Sequence, residues 1–177
     1  MKKEFYWIAI VLLVMWLVRL VDAVIPLDLA AYGLHPRRVS GLIGIITMPF
    51  LHASFSHLFS NSVSLVVLLG LLVATRQSPW LLAGLTSVAG ASLLWLVGRD
   101  ANHIGASGLV FGLIGFLIVS GFLHQRLVPV AVAIVVGILF GGTLMSGVLP
   151  GADGVSWDGH LCGLAGGVAV AFLAARN

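Results

Sequence analysis

Residues 105–123 read GASGLVFGLIGFLIVSGFL. From Ala106 to Leu123 there is no charge, and the run is closed by His124-Gln125-Arg126. About 20 mainly apolar residues cross the roughly 30 Å of a bilayer's hydrocarbon, so 106–123 qualifies as a transmembrane helix. Its opening is unusual for such a segment, because a hydroxyl, Ser107, sits at the first turn between small residues. Gly108, Gly112 and Gly115 follow at i, i+4 and i+7 and form one bare stripe, which lets a second membrane helix approach closely.

The rest of the chain supplies partners for that helix. Of its 177 residues 60% are hydrophobic and 8% charged, with a mean hydropathy of +1.14. Soluble domains average about 25% charged residues, so the surface suits lipid rather than water. Five further apolar segments fall at about 5–25, 55–75, 80–98, 127–149 and 158–175. With 106–123 they predict an all-α integral membrane protein of six transmembrane helices forming one domain over 1–177. The first, preceded by Lys2 and Lys3, is too long for a signal-peptide core and lacks an A-x-A site, so it reads as an uncleaved span. The net charge of +3 comes from scattered Lys and Arg rather than a basic stripe, which excludes a nucleic-acid partner. The single cysteine, Cys162, reads as a packing residue.

Residues 27–54 are neither a span nor a simple loop. Tyr32-Gly33-Leu34-His35-Pro36-Arg37-Arg38 precedes an apolar stretch that is interrupted by Gly41, Gly44 and Pro49. Irregular backbone at membrane depth must be buried in protein, so a partly embedded interfacial loop is expected. Placing both termini in the cytoplasm puts Lys2, Lys3, Arg76, Arg126 and Arg176 inside. Arg37, Arg38 and Arg99 then lie outside with Asp28, Asp100, Asp153 and Asp158. This bias follows the positive-inside rule.

In that arrangement the second, fourth and sixth spans run in the same direction, and their first turns share one face. Those turns carry His57 and Asn61, Ser107, and His160. His57 and Asn61 are i, i+4 and stack on one side of their helix. Gly163 and Gly167 follow His160 at i+3 and i+7, giving the sixth span a bare stripe to set against that of the fourth. Polar groups at membrane depth are costly and mark pathways or active sites. Three helices delivering them to one level point to a site.

These residues resemble the rhomboid family. Gly105-Ala106-Ser107-Gly108 followed by Phe111-Gly112-Leu113 is similar to its GxSG motif and following FGL. Gly159-His160-Leu161-Cys162-Gly163 through Gly167 resembles its AHxxGxxxG helix, with Gly159 where alanine is usual. His52, His57 and Asn61 match its H-x4-H-x3-N stretch. The Trp-Arg pair that some members carry in the first loop is absent between Leu27 and His52, and Pro36-Arg37-Arg38 is offered in its place. The resemblance implies a rhomboid-like bundle and an intramembrane serine endopeptidase that cuts in or near the transmembrane segments of other membrane proteins.

On that reading Ser107 is the nucleophile and His160 the base that activates it, which requires an approach of about 2.6–3.2 Å. No carboxylate is evident as a third member. Asp158 is two residues from His160, and such neighbours point away from each other on a helix, so the expectation is a dyad. Asn61, His57 and the backbone N–H of Ser107 are the candidates to stabilise the oxyanion. His52, Gly105 and Gly108 support the site, and His103 reads as a solvated loop residue. Substrate access is expected beside the fifth span, near Pro129, Gly137, Gly141 and Gly142. No metal and no cofactor are called for, since His52, His57 and His160 lack a ligand motif such as HExxH. The lipid bilayer and transmembrane substrates are the expected partners, in a bacterial inner membrane with the site opening to the outer face. Two other readings share the pattern. One is a rhomboid-fold protein that binds membrane clients without cutting them. The other is a transporter using the histidines, which the lack of Asp or Glu in spans two to five disfavours.

Overall fold

The computed structural model describes residues 2–25, 27–150 and 154–176. Asp153, one of the acidic residues assigned to the outer side, lies outside them. Among the described residues the chain forms seven α-helices and no strands: α1 (Lys2–Val24), α2 (Gly44–Thr47), α3 (Phe55–Thr75), α4 (Pro79–Val97), α5 (Ser107–His124), α6 (Leu127–Gly147) and α7 (Trp157–Ala174). All but the short α2 are long and apolar enough to cross a membrane. The expected all-α membrane architecture is the one the chain adopts.

Local sequence sets the helix ends. The Ser54 side chain caps α3 by accepting the His57 N–H at 3.1 Å, and Pro79 opens α4 where its missing N–H is harmless. α5 stops where Gln125 enters the left-handed region at φ 47°. The degree of enclosure then ranks the helices. In α5, 56% of the span is buried, against 11% in α1 and 22% in α6, so α5 is the axis and the other two face lipid.

α7 lies between α5 and α4, and glycines make both contacts. A Cβ on Gly163 would run into the Gly108 carbonyl, and one on Gly167 into that of Gly112. On the other side, a Cβ on Gly90 would lie 2.8 Å from Gly163 Cα. The two bare stripes therefore meet backbone to backbone, the close approach that small residues permit in a bilayer.

The segment between α1 and α3 is built from 3₁₀ turns at Leu29–Tyr32, Val39–Ile43 and Met48–Phe50 around α2. It is partly embedded: Leu34 and Met48 are buried, whereas Val39 and Ile46 project outward. Its polar backbone is satisfied by distant residues, as irregular structure at depth requires. Leu34 and His103 exchange N–H···O bonds, both 2.9 Å. Arg37 donates to the Gly98 carbonyl at 2.7 Å, Arg38 pairs with Asp100 at 2.9 Å, and the Trp95 indole donates to the Arg38 carbonyl at 3.0 Å. Pro36-Arg37-Arg38 thus ties the loop to the α4–α5 connection.

Candidate active site

Ser107 is the first residue of α5, and the turn before it depends on Gly105, whose φ of +113° disfavours any side chain. The Gly105 N–H bonds to the Met48 carbonyl at 2.9 Å, and the Ala106 N–H points at His52 Nε2 at 3.4 Å. The partly embedded loop therefore fixes the start of α5. His160 stands one turn into α7, whose glycine seam with α5 sets how far apart the two side chains are.

The Ser107 hydroxyl and His160 Nε2 are 2.9 Å apart. On the other side of the ring, Nδ1 is 2.8 Å from the carbonyl oxygen of Gly147, in the last turn of α6. A carbonyl only accepts, so Nδ1 carries the proton and Nε2 offers its lone pair to the serine O–H. The Phe111 ring lies parallel to the imidazole, with centroids 4.1 Å apart and planes 3° apart. Phe111 reaches this position because it is i+4 from Ser107 on the same face of α5. In the sequence Phe111 stands in the motif after Ser107 but is given no role beside the histidine, and Gly147 is not singled out. The i+4 spacing could have flagged the first, but nothing in the sequence marks a backbone carbonyl.

His57 and Asn61 converge on the same turn. A Cβ on Gly105 would lie 2.7 Å from His57 Cε1 and 3.7 Å from Asn61 Nδ2. Asn61 is buried, and its Nδ2 has no hydrogen-bond partner among the described residues. The N–H of Ser107 is one of the first-turn donors that a helix leaves unpaired; the first to bond back is Val110, to the Ala106 carbonyl at 3.0 Å. His52 packs edge-on to His57 at 5.1 Å, and burial, then the His57 charge, lowers its pKa to about 4. A cavity of about 600 Å³ opens above these groups, with Ser54, Ser60, Ser146 and Ser156 on its walls. Asn102, in the loop before α5, lies outside it and donates to the Ala30 carbonyl at 2.8 Å.

His103 differs from expectation. It is not solvated but 3% exposed, with Nδ1 2.7 Å from the Ser156 hydroxyl and Nε2 3.2 Å from the Arg99 carbonyl. Asp158 anchors the same cluster, accepting from the Arg99 N–H at 2.9 Å, the Arg99 guanidinium at 3.0 Å and Ser156 at 3.3 Å. Its hydrogen bonds go to Arg99 and Ser156, while His160 bonds to Gly147 and Ser107. The cluster also accounts for Gly159, because a Cβ there would meet the Ser156 hydroxyl. Cys162 is buried against α4, beside Ala91 and Leu94.

A bundle of six membrane-crossing helices that brings a serine and a histidine from two of them into hydrogen-bond contact defines an integral, multi-pass membrane protein with a polar site at one face. The rhomboid domain family matches residues 39–177, and the chain belongs to the rhomboid family. It is similar to the uncharacterized protein Rv1337 of Mycobacterium tuberculosis, 36% identical over 168 residues, covering 90% of this chain and 70% of that one. The uncharacterized protein ML1171 of Mycobacterium leprae is 36% identical over 171 residues, covering 90% and 66%. A Bacillus subtilis protein named "Putative rhomboid protease YdcA" is 29% identical over 141 residues, covering 75% and 67%.

Proposed function

We propose that the chain is an intramembrane serine endopeptidase that hydrolyses peptide bonds in or near the transmembrane segments of other membrane proteins. The observation that carries this reading is the relay from the Gly147 carbonyl through His160 to Ser107, at 2.8 and 2.9 Å. Family membership and the name of the Bacillus relative support it.

Ser107 Oγ attacks the scissile carbonyl carbon while its proton passes to His160 Nε2. The oxyanion is stabilised by Asn61 Nδ2, His57 and the Ser107 N–H, aided by the positive end of the α5 dipole. His160 returns the proton to the leaving amine, and the acyl-enzyme is released by a water that the same imidazole activates. The serine-walled cavity supplies that water in a place from which hydrocarbon would exclude it. Substrates reach the site beside α6, where Gly137, Gly141 and Gly142 have open space beside them. The distribution of Lys and Arg supports an orientation with both termini in the cytoplasm of a bacterial cell and the site toward the outer face.

The test is labelling with a serine-directed fluorophosphonate in detergent, followed by peptide mass spectrometry of the wild type, Ser107→Ala and His160→Ala. An adduct on Ser107 that is lost in His160→Ala is the expected result. A folded wild type that stays unlabelled while a control serine hydrolase reacts would leave the non-cleaving client binder as the better reading.

A further inference from the structure

A second built feature lies at the other end of the bundle, on the face that carries the termini. There α4 and α7 are separated by a cavity of about 640 Å³, with walls that include Leu82 and Leu85 of α4, Val170 and Leu173 of α7, and Phe116 of α5. This volume is within the range of about 300–1,000 Å³ usual for small-molecule sites. Arg76, Gln77, Ser78 and His124 form its polar edge.

Arg76 is half-buried and its bonding is incomplete. One terminal nitrogen donates to the fully buried Ser120 hydroxyl at 2.7 Å. The other is 3.4 Å from His124 Nε2, and His124 Nδ1 donates to the Ser120 carbonyl at 2.8 Å. The guanidinium also lies over the Phe116 ring at 5.6 Å. All these contacts are neutral. Among the described residues the Arg76 Nε is buried and without a hydrogen-bond partner, and no carboxylate lies within ion-pair reach, although Arg19, Arg38 and Arg99 each have one. The α5 C-terminus offers about half a negative charge at most. A cation drawn out of water with no counter-ion is unfavourable unless a ligand supplies the missing charge.

We infer that this cavity binds an anionic phospholipid, with the phosphate on Arg76 and acyl chain along the apolar walls between α4 and α7. Guanidinium is the side chain best matched to phosphate, through parallel N–H···O bonds. A free phosphate would satisfy the charge but make no use of the apolar walls. With the termini in the cytoplasm, the polar edge meets the leaflet in which anionic headgroups attract basic sites. The inference stands whether or not the chain is a protease.

The test is thermal unfolding of the delipidated full chain in neutral detergent, with phosphatidylglycerol, phosphatidylcholine or inorganic phosphate added. Phosphatidylglycerol should raise the Tm by several degrees, because a ligand that binds only the folded state stabilises it. Phosphatidylcholine and inorganic phosphate should not. The shift should vanish in Arg76→Gln and persist in Arg126→Gln, which removes an exposed charge nearby. Leu85→Trp fills the apolar wall while keeping Arg76 and should also abolish it. An equal shift in Arg76→Gln, or one with phosphatidylcholine, would overturn the proposal. A shift with inorganic phosphate alone would make this a soluble-anion site and overturn it as well. If Arg76→Gln does not fold, a full shift in folded Leu85→Trp sinks the idea.

Discussion

The carbonyl oxygen of Gly147 stands 2.8 Å from His160 Nδ1, where a Ser-His-Asp triad would place its carboxylate. A carbonyl holds the ring in the useful tautomer but brings no full charge to an imidazolium. It also sits on α6, a helix largely exposed to lipid, so orientation of the His160 imidazole depends on the seating of a peripheral element. A Cβ on Gly147 would run into the Phe111 ring and lie 3.1 Å from His160 Nδ1.

Gly147→Ala should therefore push the end of α6 off the imidazole. Acid–base catalysis contributes about 10²–10⁴-fold, and the variant is expected to lose about 10²-fold in kcat with a much smaller change in KM. Steady-state kinetics on a transmembrane reporter, with thermal unfolding alongside, would check this. An unchanged kcat would mean that Nδ1 needs no partner.

Asn61→Ala removes a buried amide whose Nδ2 is free among the described residues. Loss of one oxyanion donor lowers kcat by about 10²–10³-fold, and that is the expected effect, with KM nearly constant. If KM rises instead and kcat holds, Asn61 contacts the substrate in its ground state.

Asp158→Ala leaves the part-buried Arg99 N–H and Ser156 hydroxyl without this acceptor, whereas the exposed Arg99 guanidinium keeps the Val155 carbonyl and turns to water. Unsatisfied buried groups cost about 1–3 kcal/mol, so the Tm should drop clearly. His103→Ala, acting on the same cluster, should give a loss that does not add to it when the two are combined. Additive losses would show that the two residues are independent.

The neutral state of His52 has a consequence for pH. Its pKa is lowered to about 4 in the fold, while the unfolded chain takes up that proton near 6.5. Folding then releases a proton between those values, so stability is full above about pH 6.5 and declines as pH falls toward 4. His52→Gln does not titrate at this position. The Tm advantage of wild type over this variant should shrink across that interval, measured by unfolding at stepped pH. An advantage that stays constant would place the His52 titration elsewhere.

The six spans could be read from hydropathy because lipid imposes one simple demand on every exposed residue. The convergence of His57, Asn61, Ser107 and His160 could be read because alternate spans run the same way. What escaped notice depends on backbone groups and distant partners. Gly147 acts through its carbonyl, a group every residue carries. His103 reads as a solvated loop residue because its Ser156 partner is 53 positions away. The loop at 27–54 was recognisable as embedded, but its 3₁₀ turns answer to Trp95, Gly98 and His103, and no local pattern announces those.

The α5–α7 seam has one more implication. Between Gly108 and Gly163, and between Gly112 and Gly167, no side chain intervenes. Most distances in a protein are padded by groups that can switch rotamer and absorb a nearby change. This one has no padding, so the spacing between Ser107 and His160 is inherited directly from the main chain. A side chain at Gly163 or Gly167 would meet a carbonyl of α5, which cannot turn aside as a rotamer can, so the α7 side of the seam holds the two helices at a fixed separation.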